Sequence, residues 1–220
     1  MEISNPSKVA IIGLGNIGQV VAKNLINHHR AIIVADRTFE KSQQLATELG
    51  TLAKPLSIEE AIKEADIIVL AVWFSAIQEL FQQYESLFQG KIVIDPSNPI
   101  APNEKGGFDK IIGENESAGL INAAILPNGA KLAKALGTLG AASLANSANQ
   151  QPDAAVLFYA TDDTNINFSV EQLILDNGFA PARVGGLDQS IRIEVFGDLH
   201  EFGALGKTVT VSEVKSKMSS

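Results

Sequence analysis

The chain has 220 residues, 45% hydrophobic and 19% charged, which is enough apolar content for a substantial core in one α/β-sized domain. Its net charge of −8 argues against nucleic acid or an anionic membrane as the main partner. The absence of cysteine excludes disulfides, thiolate metal centres and cysteine nucleophiles.

No run approaches the roughly 20 apolar residues that a spanning helix needs. The first residues, Met1 to Ser7, carry neither a basic nor an apolar signal region, so a cytoplasmic location is expected, with no membrane partner. Short apolar runs then alternate with helical spacing, the pattern of βαβ units and a parallel sheet. Strands are expected at Val9–Ile12, Ala31–Ala35, Ile67–Ala71 and Lys91–Ile94, all rich in Ile and Val without polar alternation. The intervening stretches Asn16–Asn27, Phe39–Leu49, Ile58–Glu64 and Ser75–Phe88 have helical periodicity. The run Pro96 to Pro102 holds three prolines and reads as a loop at the edge of a site. In the second half, strands are expected at Ala130–Leu136, Ala154–Ala160 and Phe179–Val184. Helices are expected at Ser117–Ala124, Leu139–Ser147, Thr164–Asn177 and Leu187–Phe202. Residues 1–206 thus form one Rossmann-like domain, an α/β fold with a doubly wound, mainly parallel sheet, helices on both faces and a short C-terminal αβ extension. Residues 207–220 read as a frayed tail.

Gly13-Leu14-Gly15-Asn16-Ile17-Gly18 matches GxGxxG, directly after an apolar strand and at the opening of a helix. In that context Gly13 permits the turn, Gly15 lets the backbone approach a pyrophosphate, and Gly18 packs helix on strand. The phosphates would rest on the unsatisfied N–H groups of the helix start. Asp36 ends the second strand, where an acidic residue can accept from the ribose diol of NAD. Arg37 and Lys41 could instead hold a 2′-phosphate, so NAD and NADP both remain open.

Other chemistries fail on inventory. There is no GxSxG elbow and no Walker sequence, and no metal site is visible. His28 and His29 end a helix, where they complement its dipole. His200 beside Glu201 reads as a surface residue. The acidic pairs Glu59-Glu60 and Asp162-Asp163 read as helix caps. Lys134 could act as a general acid, although its strand-like setting fits a structural role equally well. No catalytic side chain is assigned. Hydride transfer between two bound rings needs stacking geometry and dryness more than acid–base help. Trp73, the only tryptophan, is either a core aromatic or a wall for such a ring.

From residue 8 to about 203 the chain resembles the deazaflavin-dependent NADP oxidoreductases. Beyond the glycine loop, the resemblance rests on Ala65 to Trp73, Val93 to Pro99, Lys134 to Leu139, and a closing series of Leu173 to Phe179, Gly185-Gly186-Leu187 and Glu194. It implies that Ala71, Val72 and Trp73 flank a nicotinamide together with Asn98, and that Pro99, Ala135 and Thr138 face the second reactant. The chain departs from the family at Asp36, at Val72 in place of a proline, and at Gly137 in place of a polar residue. The resulting expectation is an NAD(P)-dependent oxidoreductase that passes hydride to a flavin- or deazaflavin-like acceptor, with Gly137 leaving the pocket floor open. An imine or carbonyl reductase and a non-catalytic dinucleotide sensor are the alternatives. A homodimer is also expected.

Overall fold

The central apolar runs form strands because both of their faces are covered, so no position along them has to be polar. In the computed structural model, which describes residues 7–218, β1 (Val9–Ile12) and β4 (Ile67–Leu70) are buried at every position. They lie at the centre of an eight-stranded sheet with β2 (Ile32–Ala35), β3 (Ala53–Pro55), β5 (Ile92–Asp95), β8 (Lys131–Lys134), β9 (Val156–Ala160) and β10 (Ala180–Gly185). The order is β10-β9-β8-β5-β4-β1-β2-β3. Neighbours run parallel except β8 and β9, which meet antiparallel at Lys134 and Ala160.

Alternate residues of each strand feed opposite cores, as the pleat requires. Val9 and Ile11 pack with Val21 and Leu25 of α1 (Asn16–Asn27), Leu45 of α2 (Phe39–Leu49), Leu144 of α6 (Ala141–Asn146) and Leu173 of α7 (Asn167–Asp176). Ala10 and Ile12 pack on the other face with Ile62 of α3 (Ile58–Glu64) and with Ile77 and Phe81 of α4 (Phe74–Gln83). Among the described residues, no helix is long and apolar enough to cross a membrane.

The acidic caps act locally. Ser57 and Glu60 form a capping box on α3, and Asp163 accepts from the Asn165 N–H at 2.9 Å. His28 ends α1 and its Nε2 lies 2.6 Å from Asn149 Oδ1.

Four departures from the sequence reading stand out. The expected helix over 75–88 is α4 followed by a separate 3-10 turn, Glu85–Phe88. The proline-rich loop leads into a hairpin of β6 (Ile100–Pro102) and β7 (Phe108–Lys110). The expected helix over 187–202 is a 3-10 segment, Leu187–Arg192, followed by turns. There the backbone doubles back so tightly that a Cβ at Gly197 would collide with the carbonyls of Ile191 and Arg192. Finally, the segment read as a frayed tail carries α8 (Val211–Met218). It is tied to the sheet by Val156 N–H donating to Val209 O at 2.9 Å and by burial of Val209.

Candidate functional site

The glycine loop joins β1 to α1 at the carboxyl end of the sheet. Gly13 has φ +93°, and a Cβ there would lie 2.5 Å from Ala71 O and 2.7 Å from Val72 Cγ1. A Cβ on Gly18 would collide with the carbonyl of Gly13. These two glycines are therefore demanded by the protein's own packing. Gly15 is not: a Cβ there meets nothing within 4 Å. It is the N-cap of α1, which no side chain caps, so the first-turn N–H groups over Asn16, Ile17 and Gly18 face outward. This is a cradle that a side chain would fill, and it fits a pyrophosphate.

Asp36 faces this loop. One carboxylate oxygen accepts from Leu14 N–H and the other from Thr38 N–H, both at 3.0 Å. Arg37 and Lys41 are exposed, and among the described residues neither side chain has a recorded partner. A dianionic group placed here would meet two cations, with the carboxylate already occupied by backbone donors.

Ala71, Val72 and Trp73 follow β4, Asn98 and Pro99 follow β5, and Ala135 to Thr138 follow β8. Because these strands are neighbours, the three loops share one end of the sheet with the glycine loop. Trp73 is 55% exposed and caps α4, so it is not a core aromatic. Pro99, Ala135 and Thr138 are buried.

The expectation that Gly137 leaves an open floor is overturned. Gly137 is buried, and a Cβ there would collide with Pro96 O. Leu136, just before it, is buried with φ +63°, a left-handed turn costing ~1–2 kcal/mol. That turn presents the Gly137 carbonyl to two donors, Asn98 Nδ2 at 3.0 Å and His200 Nε2 at 3.0 Å. Asn98 Oδ1 in turn accepts from Val195 N–H at 2.7 Å.

His200 is consequently not a surface residue; it is 1% exposed. Its Nδ1 accepts from Phe202 N–H at 3.0 Å, which leaves Nε2 as the protonated nitrogen. Burial holds its pKa below the ordinary histidine range.

Lys134 is also spoken for. Its ammonium lies 3.1 Å from Asp95 Oδ2, with both side chains almost fully buried, and it donates to Ser97 O. Asp95 further accepts from Asn122 Nδ2 and Ser97 N–H, both at 2.8 Å. Glu194, buried beside this network, accepts from Ser117 Oγ at 3.0 Å and from Ala118 and Gly119 N–H at 2.9 Å, fixing the start of α5 (Ala118–Ala124). The hydroxyls of Ser97 and Thr138 are buried with no hydrogen-bond partner. They are the polar atoms here that still require one. The hairpin that brings Phe108 to within 6.4 Å of Trp73, ring centre to ring centre, went unread in the sequence.

The mainly parallel sheet with helices on both faces, entered through a GxGxxG turn, makes this a Rossmann-type dinucleotide-binding fold. Over residues 8–99 the chain matches the family described as NADP oxidoreductase, coenzyme F420-dependent. Over nearly the whole chain it is similar to a hypothetical protein from Sinorhizobium meliloti, with TM-score 0.80 and 27% identity over 93% of this chain and 95% of that one. A second solved structure, described as an F420-dependent NADP-reductase from Arthrobacter sp. FB24, superposes with TM-score 0.70 and 19% identity, covering 83% of this chain and 86% of that one. Glutamyl-tRNA reductase from Methanococcus maripaludis is 39% identical over 94 residues, 41% of this chain. The match spans only 24% of that enzyme, about a quarter of its length.

Proposed function

We propose that the chain is an NADP-dependent oxidoreductase that binds the dinucleotide along Gly13–Gly18 and passes hydride between its nicotinamide and a flavin- or deazaflavin-like acceptor. The observation that carries this reading is Gly15. Its neighbours Gly13 and Gly18 are glycine because the protein is crowded there, whereas Gly15 borders open space. A glycine without an internal reason, at the uncapped start of a twelve-residue helix, is explained by a ligand's approach.

Reduced NADP supplies a hydride from its nicotinamide ring. The residues of this chain bind, orient and shield it. Leu14 to Gly18 line the pyrophosphate's seat, with the free backbone donors of Asn16 to Gly18 facing it and Leu14 N–H held by Asp36. Arg37 and Lys41 suit a 2′-phosphate, which favours NADP over NAD. Val72 wedges against the glycine loop, and Trp73 stands beside it as an aromatic wall. The unpartnered hydroxyls of Ser97 and Thr138 supply hydrogen bonds beyond the nicotinamide.

The test is titration with NADPH of the wild type and of Gly15→Val. The variant sacrifices about 1 kcal/mol of capping preference and stays folded, but its Cβ and methyls occupy the phosphate's path. Binding by the wild type and its loss in the folded variant are expected. Unchanged affinity in the variant would refute the assignment.

A further inference from the structure

Asn-Gly is a sequence at which a polypeptide readily modifies itself, because glycine has no Cβ to shield its amide nitrogen from the asparagine side chain. The chain contains two such pairs, Asn128-Gly129 and Asn177-Gly178, and the fold treats them in opposite ways. Asn177 is fully buried, its Nδ2 donates to Leu173 O at 2.8 Å, and Gly178 N–H donates to Leu175 O at 2.8 Å. The carboxamide and the nucleophile are thus both held.

Neither restraint exists at the other pair. Asn128 and Gly129 occupy the centre of a turn closed by Ala130 N–H donating to Pro127 O at 3.1 Å, with Gly129 at φ +76°. Both residues are exposed, and neither the Asn128 carboxamide nor Gly129 N–H has a hydrogen-bond partner among the described residues. They border an open hollow of about 490 Å³ rimmed by Gln82, Gln83, Glu85, Ser86 and Gln89, so the side chain has room to swing back on its own backbone. The turn nevertheless matters to the sheet. Gly129 O accepts from Gly90 N–H at 3.0 Å, and Lys131 N–H donates to Lys91 O at 3.0 Å where β5 and β8 begin. This is the end of the sheet remote from the glycine loop.

We propose that Asn128-Gly129 is a self-modification site whose isoaspartyl product unlatches the amino ends of β5 and β8. The Gly129 nitrogen attacks Asn128 Cγ: the N–Cγ bond forms, the Cγ–Nδ2 bond breaks, and the amide proton leaves with the departing nitrogen as ammonia. Water then opens the cyclic imide. Opening at Cγ yields aspartate; opening at the backbone carbonyl yields isoaspartate, which threads Cβ into the main chain. The added atom lengthens the path from Pro127 to Ala130, so the Gly90 bond to Gly129 O is lost along with the turn bond. Aspartate keeps the backbone and only adds a charge to a hollow whose other charged lining group, among the described residues, is Glu85.

The full chain and Asn128→Gln are held for days in mildly alkaline buffer. Isoaspartate is then counted with an isoaspartyl methyltransferase and a labelled methyl donor, and located by peptide mapping. The wild type is expected to accumulate it at residue 128 at least about tenfold faster than at residue 177. Asn128→Gln should lack that signal, because its longer side chain closes a larger ring more slowly. The isoaspartyl form, separated chromatographically, should exchange the Gly90 and Lys131 amide protons at least about tenfold faster than the fresh chain, whereas Asn128→Asp should not. Equal yields at 128 and 177, or an Asn128→Gln chain that ages at the wild-type rate, overturn the site. An isoaspartyl form with unchanged exchange at Gly90 and Lys131 overturns the unlatching.

Discussion

The carboxylate of Asp36 accepts a hydrogen bond from the backbone N–H of Leu14 at 3.0 Å, so the end of β2 holds the glycine loop in shape. The same group caps the next turn through Thr38. Asp36→Asn leaves one acceptor oxygen for two donors. It should weaken NAD and NADP binding together and lower stability by about 1 kcal/mol. Parallel titrations with both dinucleotides and a thermal melt check this; a switch of preference toward NADP at unchanged stability would contradict it.

Cofactor choice should reside next door. Removing the guanidinium in Arg37→Ala is expected to weaken NADP about tenfold or more while sparing NAD, because only the 2′-phosphate uses it. Lys41→Ala should act in the same direction and more weakly, a single point charge replacing a planar fork. Dissociation constants for both cofactors, taken at one fixed salt concentration, are the measurement.

The buried pair of Asp95 and Lys134 should behave as structure rather than catalysis. Lys134→Met strands the Asp95 carboxylate and should cost about 3–5 kcal/mol in urea denaturation. Adding Asp95→Asn, which removes the stranded charge, should recover part of that loss. A folded Lys134→Met of undiminished stability, slow only in turnover, would restore the lysine to the chemistry.

His200 gives the fold an acid-sensitive element. Its folded pKa lies below the ordinary value because burial disfavours the charged ring, so the unfolded chain takes up this proton first as pH falls. The stabilisation is complete above the unfolded pKa, near 6.5, and is lost progressively as pH drops below it. His200→Gln keeps a donor for the Gly137 carbonyl but cannot titrate. Denaturation midpoints measured between neutral pH and about pH 5 should fall less steeply in the variant. Equal slopes would remove His200 as the cause.

The central strands were legible because burial on both faces leaves a signature in residue type alone, as in Val9–Ile12 and Ile67–Leu70. The glycine loop was legible because GxGxxG between an apolar strand and a helix is a pattern of adjacent residues, even though Gly13 is also crowded by the distant Ala71 and Val72. The hairpin was not, since Pro102 and the exposed Phe108 look like loop residues until Asn103 folds the turn. Gly137 and His200 were misread because their roles depend on Pro96 and on each other, partners distant in sequence. The helix expected over 187–202 failed similarly: an apolar period was present, but the doubling back at Gly197 won.

Asn98 has one partner 39 residues downstream and another 97 residues downstream. Synthesis runs from the amino end, so β1 to β5 and the glycine loop can assemble on the ribosome while Val195 is still to be made. The nascent chain can thus complete its glycine loop early, while the hold on Asn98 waits until Val195 has been made. Chains that terminate in this interval retain the glycine loop but leave Asn98 Oδ1 without its donor.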